Sequence, residues 1–207
     1  MAIRGTGSPF TWRSGPPRCL NLLNVKPAPM NDRFAGSIIN RGQLSLTGVV
    51  RDDSRVSSLT LSTELRDTVV EHLRRCLPHE GVGLLATSGP DSSLTAVRFY
   101  PGRNKDRSSR RYTMDADDVL VALASMKREK TRLGAIVHSH PVTPPVPSRT
   151  DLVEANCPGV VSLIVGFSPM VDLRAWMLVY DCYGVAIRFE EIPLVCGTGP
   201  RGRRWGF

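Results

Sequence analysis

Hydrophobic positions are irregular over residues 1–57 and become periodic from Leu59 onward. Leu59 to Leu61 alternate as a short strand, and Ser62 is placed to cap a helix with Glu64 and Asp67 near its positive end. Leu65, Val69, Leu73 and Leu77 recur every four residues, which predicts one buried helix face ending at Pro78. Apolar runs at Val82 to Ala86 and Leu94 to Tyr100 predict strands. Asp115 then caps a second helix, whose Val119, Leu120, Leu123 and Met126 are predicted to face the core, with Lys127 to Lys130 at the negative end. Leu133 to Val137 is apolar and β-branched, as a buried strand requires, and Val160 to Val165 repeats that character. Leu173 to Tyr180 and Val185 to Ile192 read as a hairpin around Asp181-Cys182-Tyr183-Gly184. This mixed order of strands and helices predicts an α/β (α+β) fold, a mixed central β-sheet flanked by helices.

The polar residues at the end of the Leu133 to Val137 strand carry the chemistry. His138-Ser139-His140-Pro141, followed by Ser148 and Asp151, gathers two imidazoles, a hydroxyl and a carboxylate within fourteen residues. Side chains alternate along a strand, so His138 and His140 face one side and Ser139 the other. Three prolines between Val142 and Pro147 stop the strand and force a loop, after which a short helical start returns Ser148 and Asp151. Catalytic zinc takes three imidazole or carboxylate ligands and keeps a fourth position open, and His138, His140 and Asp151 supply three. A hydrolase also needs a base that is not itself a ligand, and Glu80, ahead of the Val82 to Ala86 run, is the candidate. Ser148 is the candidate donor to the developing oxyanion, and it can also cap the short helix.

These residues resemble the signature of the JAMM (MPN+) metallopeptidases, an upstream glutamate, His-x-His-Pro, a further serine, two intervening residues and an aspartate. Glu80, His138, His140, Ser148 and Asp151 fill every position, with seven residues, Pro141 to Pro147, between His140 and Ser148. The similarity extends from about Leu59 to about Ile192, including Leu84-Leu85 and Leu173-Arg174-Ala175-Trp176. The resemblance implies one catalytic zinc ion held by His138, His140 and Asp151, Glu80 as general base and Ser148 as oxyanion-stabilising hydroxyl. It also implies a cytidine-deaminase-like sandwich, although the Pro-Cys-x-x-Cys of zinc deaminases is absent. The implied activity is that of an isopeptidase or peptidase cutting after the C-terminal Gly-Gly of a ubiquitin-like or sulfur-carrier protein. The short link from Phe167 to Leu173 leaves little room for a second substrate-clamping insertion, which points to a simple prokaryotic carrier as substrate.

Charge changes this picture only at the ends. The net charge of +8 divides into eight Lys/Arg against three Asp over residues 1–57, sixteen of each sign over residues 58–200, and Arg201, Arg203 and Arg204 in the tail. The expected organisation is a basic Pro/Gly/Ser-rich extension over 1–57, a catalytic domain over 58–195 and a basic tail over 196–207. The extension overlaps in composition with a transit peptide, but its glycines and prolines oppose an amphipathic helix, and a start at Met30 is the preferred alternative. No apolar run reaches the roughly eighteen residues of a membrane span. Five cysteines without a Cys-x-x-Cys pair argue against a disulfide framework and for a reducing, cytoplasmic setting. Cys157 reads as a small buried hydrophobe. The basic loop Pro101 to Arg111 reads as a solvated face, apart from the substrate contact that the resemblance allows.

Two rivals remain open at this point. A non-catalytic MPN scaffold that binds partner proteins would be expected to lack a signature ligand and to purify without stoichiometric zinc. A nucleic-acid-binding module would rest on the basic ends alone, and Trp205 and Phe207 are too few to form a stacking platform, so no specific nucleic acid is expected.

Overall fold

The computed structural model describes residues 56–181 and 183–197. The N-terminal extension up to residue 55, the alternative start at Met30, Cys182 and the tail from residue 198 lie outside the described residues. The elements run β1 (Ser58–Ser62), α1 (Thr63–Arg75), β2 (Val82–Ser88), β3 (Ser93–Gly102), α2 (Ala116–Arg128), β4 (Arg132–His140), α3 (Arg149–Glu154), β5 (Val161–Gly166), β6 (Asp172–Tyr180), β7 (Ala186–Ile192) and β8 (Leu194–Gly197). All eight described strands share one sheet in the order β7-β6-β5-β4-β2-β3-β1-β8. The pairs β1 with β3, β1 with β8 and β4 with β5 are parallel, and the others are antiparallel, so the sheet is mixed as expected.

Helices cover both faces. Leu85 of β2 packs with Ala135, Val137, Leu163 and Met177 against Val69 and Leu73 of α1. Its neighbours Val82, Leu84 and Ala86 pack on the opposite side against Val119, Ala122 and Met126 of α2. Because β2 is buried on both sides, its sequence is continuously apolar rather than alternating. The caps fall where the sequence places them. Ser62 accepts a hydrogen bond from the Leu65 N–H at 3.2 Å, and the Asp115 side chain accepts from the Asp117 N–H at 3.0 Å, each contributing about 1 kcal/mol to its helix.

Two local expectations are corrected, and one strand is added. The first helix stops at Arg75, and Leu77, predicted on its buried face, is 39% exposed. The residue before a proline is pushed out of the helical region, so Pro78 ends the helix early rather than at its own position. Leu120, predicted to face the core, is 52% exposed, because α2 buries the row Val119, Ala122 and Met126 instead, with Leu123 only partly covered. β8 was not expected, and it carries the sheet to Gly197 by pairing with β1, with Leu194 packed against the core. Its four residues are too short for a period to be visible in sequence. Among the described residues, no helix is long and apolar enough to cross a membrane.

Candidate active site

The predicted site residues converge at one end of the sheet. β4 extends through both histidines, placing His138 and His140 on the side of Ile136 and α2, and Ser139 on the side of Val137 and α1. The next turn is pinned rather than loose. The Trp176 indole N–H on β6 donates to Pro145 O at 2.8 Å, and His140 Nδ1 lies 2.8 Å from Pro144 O. A carbonyl only accepts, so Nδ1 carries the proton and the lone pair of a neutral His140 is on Nε2.

The chain then re-enters at α3, capped by a reciprocal pair. The Ser148 N–H donates to Asp151 Oδ2, and the Asp151 N–H donates to Ser148 Oγ at 3.2 Å. That cap turns the Asp151 carboxylate toward the imidazoles. Its Oδ1 lies 3.3 Å from His138 Nε2, and its Oδ2 lies 3.5 Å from His140 Nε2. The 3.3 Å approach lacks hydrogen-bond geometry, and both nitrogens of the fully buried His138 have no hydrogen-bond partner. Leaving such a group unpaired costs about 1–3 kcal/mol, and a cation bound at Nε2 would satisfy one of the two nitrogens. One ligand atom from each of His138, His140 and Asp151 lies within 4.8 Å of the others, so the three can hold a metal ion together. Tyr112 stacks on the His138 ring at a centroid separation of 4.7 Å and limits its rotation.

The electrostatics sort the carboxylates into two kinds. Burial raises the Asp151 carboxyl, but the two imidazoles close beside it and the Ser148 N–H outweigh that and hold the group well below the usual range. For His140, burial acts to lower the imidazole, and the Asp151 and Pro144 hydrogen bonds outweigh it, leaving it raised. Glu80 is buried at the mouth of β2, and desolvation pushes its carboxyl up to about 7, with nearby Asp151 and Glu154 adding to the rise and His140 opposing it. An acid in the field of His140 and Asp151 that titrates near neutrality suits proton transfer.

The site also contains residues that the sequence reading left without a role. Ser139, facing away from the other side chains, accepts a hydrogen bond from the Gly81 N–H at 2.8 Å, while its own N–H donates to Gly81 O at 3.1 Å. The residue after Glu80 is thereby locked to the residue between the two histidines. A Cβ on Gly81 would lie 2.8 Å from Leu73 Cδ2 and 3.1 Å from Cys76 Cβ, so any larger residue would have to displace these α1 side chains. Strand alternation predicts that Ser139 points inward, but only the tertiary pairing shows what it meets. Asn104 lies in the basic loop and Tyr112 directly after it, where no periodicity marks them. The arginines of that loop are exposed, as a solvated face requires, and they are also paired, Arg103 with Asp115 and Asp118, and Arg111 with Asp106 and Glu154.

Comparison with known proteins agrees with this geometry. A protein of Desulfitobacterium hafniense with a known solution structure aligns over 69% of this chain and 95% of its own, with a TM-score of 0.60 and 25% identity. The CysO-cysteine peptidase of Mycobacterium tuberculosis is 34% identical over 107 residues, 52% of this chain and 72% of the relative. The desampylase of Haloferax volcanii is 30% identical over 125 residues, 58% of this chain and 88% of the relative. A probable TtuB-protein conjugate cleaving protease of Thermus thermophilus is 40% identical over 86 residues, 41% of this chain and 55% of the relative. Residues 62–179 match the family described as prokaryotic homologs of the JAB domain, a span that includes Glu80, both histidines, Ser148 and Asp151. The chain belongs to the prokaryotic JAB family.

Proposed function

We propose that the chain is a zinc-dependent isopeptidase or peptidase that cuts after the C-terminal Gly-Gly of a ubiquitin-like or sulfur-carrier protein. The observation that carries this reading is the convergence of His138, His140 and Asp151 beside a buried Glu80 whose carboxyl titrates near 7. The printed names of the relatives, a CysO-cysteine peptidase, a desampylase and a TtuB-conjugate protease, support the substrate class.

His138, His140 and Asp151 would hold the ion, with Asp151 ionised and His140 presenting its Nε2 lone pair. Zinc, when bound, supplies Lewis-acid polarisation of the attacking water and the scissile carbonyl. Glu80 takes the proton from that water and returns it to the leaving amine, a transfer that its near-neutral carboxyl can make in both directions. Ser148 Oγ uses a lone pair to cap α3, which leaves its O–H free to donate to the oxyanion as the carbonyl is attacked. We read the fold class as the cytidine-deaminase-like sandwich. Among the described residues, the free Cys76 and Cys196 fit a reducing cytoplasmic setting.

The test uses zinc-loaded protein and fusions ending in a Gly-Gly-tailed carrier. Wild type is expected to cleave, and E80Q is expected to keep stoichiometric zinc while losing about 100- to 10,000-fold in kcat. Zinc-replete wild type that cleaves no such fusion would sink the substrate assignment. A protein that purifies without zinc, and whose partner binding ignores E80Q, would instead be the non-catalytic scaffold.

A further inference from the structure

One neutral side chain in the basic loop between β3 and α2 commits its hydrogen-bonding capacity to backbone groups. Asn104 Nδ2 donates to Glu80 O at 2.9 Å and to Arg111 O at 3.1 Å. Its Oδ1 accepts from the Asp106 N–H at 3.0 Å and the Thr113 N–H at 3.1 Å. A carboxamide offers two N–H donors and two acceptor lone pairs, so all four are used. The loop closes around this residue, with the Lys105 N–H donating to Thr113 O at 2.9 Å and Thr113 Oγ1 donating to Asp106 Oδ2 at 2.7 Å. The same loop makes a second tie to the site, the Glu80 N–H donating to Ser108 O at 2.8 Å.

Both backbone groups of Glu80 therefore end on this loop, just as both backbone groups of Gly81 end on Ser139. Glu80 precedes the first residue of β2, so the strand ladder does not fix it, and a glycine follows it. These ties replace the ladder. We propose that Asn104 is a positioning residue for Glu80: it holds the loop closed and fastens it to the Glu80 carbonyl, so that the Glu80 carboxylate stays beside His140 and Asp151. The inference rests on the reading of Glu80 as general base.

The chemistry of the amide makes the idea testable with an isosteric change. Aspartate at this position keeps both acceptor bonds to Asp106 and Thr113, so the loop retains part of its closure. It lacks both donors and turns an oxygen toward the Glu80 and Arg111 carbonyls. Misplacing a reacting group by about 1 Å costs up to about 100-fold in rate.

The experiment compares zinc-loaded wild type, N104D and E80Q on a Gly-Gly-tailed fusion and follows amide exchange at Glu80 by NMR. In N104D, kcat is expected to fall between about 10- and 100-fold, while KM and zinc affinity stay within about twofold. The Glu80 amide is expected to exchange faster, a readout that needs no substrate. Unchanged exchange, or a kcat within about twofold of wild type while E80Q is inactive, overturns the inference and leaves the role of Glu80 standing. A rise in KM at constant kcat makes Asn104 a substrate contact and also overturns it. E80Q as active as wild type removes the general base itself, and the inference with it. Should N104D fail to fold, N104S carries the same comparison, with a smaller loss and the same split between kcat and KM.

Discussion

At the scale of single residues, Glu80 carries a cost that its proposed role as general base would explain. Its folded carboxyl is raised from 4.5 to about 7, so the folded state holds the proton more tightly than the unfolded chain does. The sign follows from linkage: in zinc-free protein the Glu80 contribution is fully favourable below about 4.5 and is lost as pH rises through about 7. A shift of this size corresponds to about 3 kcal/mol at neutral pH. Zinc-free E80Q is therefore expected to be more stable than wild type above pH 7 by up to that amount, and the two should converge near pH 4. Urea denaturation of both proteins across this range checks it, and a pH-independent difference would contradict the burial argument. Asp151 titrates with the opposite sign and lower in pH, because its depressed carboxyl loses stabilisation only below 3.8. The spacing of His138, His140, Ser148 and Asp151 was legible because one strand end, one turn and one helix cap carry all four. The burial of Glu80 was not, since the basic loop that holds its backbone through Ser108 and Asn104 comes from another part of the chain.

At the scale of elements, the two ties from Ser139 to Gly81 join β4 to the entry of β2. Replacing Ser139 with alanine leaves the Gly81 N–H buried without its 2.8 Å acceptor. Such an orphan costs about 1–3 kcal/mol, and Glu80, one residue away, loses part of its support. S139A is expected to unfold at lower urea by that amount and to lose kcat with its zinc content unchanged. Stability within about 0.5 kcal/mol of wild type would show that a water replaces the hydroxyl without loss. Periodicity announced the elements well, because β2, β4 and β5 are buried on both faces and α1 and α2 on one. It misplaced Leu77 and Leu120, where a proline and a rotated stripe decided which side chains were covered. Asn104 carries no periodic signal, and its importance lies in four backbone groups, three within its own loop and one, the Glu80 carbonyl, distant in sequence.

At the scale of the whole molecule, the balanced charge of residues 58–200 agrees with a fold whose many arginines are partnered. Arg98 meets Glu129 at 2.7 Å, Arg132 meets Asp91 at 2.9 Å, and Arg103 meets two aspartates of the α2 start. Exposed pairs of this kind contribute about 0–1 kcal/mol each, so they tune the surface rather than hold the fold. The sheet does that, with β1 and β8 closing one edge beyond β3. The three groups proposed to hold the metal come from one continuous stretch, His138 to Asp151, while Glu80 arrives from fifty-eight residues upstream of His138. Capture of the ion is thus a local event of low contact order, and assembly of the catalyst is a global one. A urea-unfolded chain is expected to retain weak zinc affinity that H138A abolishes, which isothermal titration checks. Because the unfolded chain competes for the same ion, zinc should raise the melting temperature less than its affinity for the native protein alone would dictate.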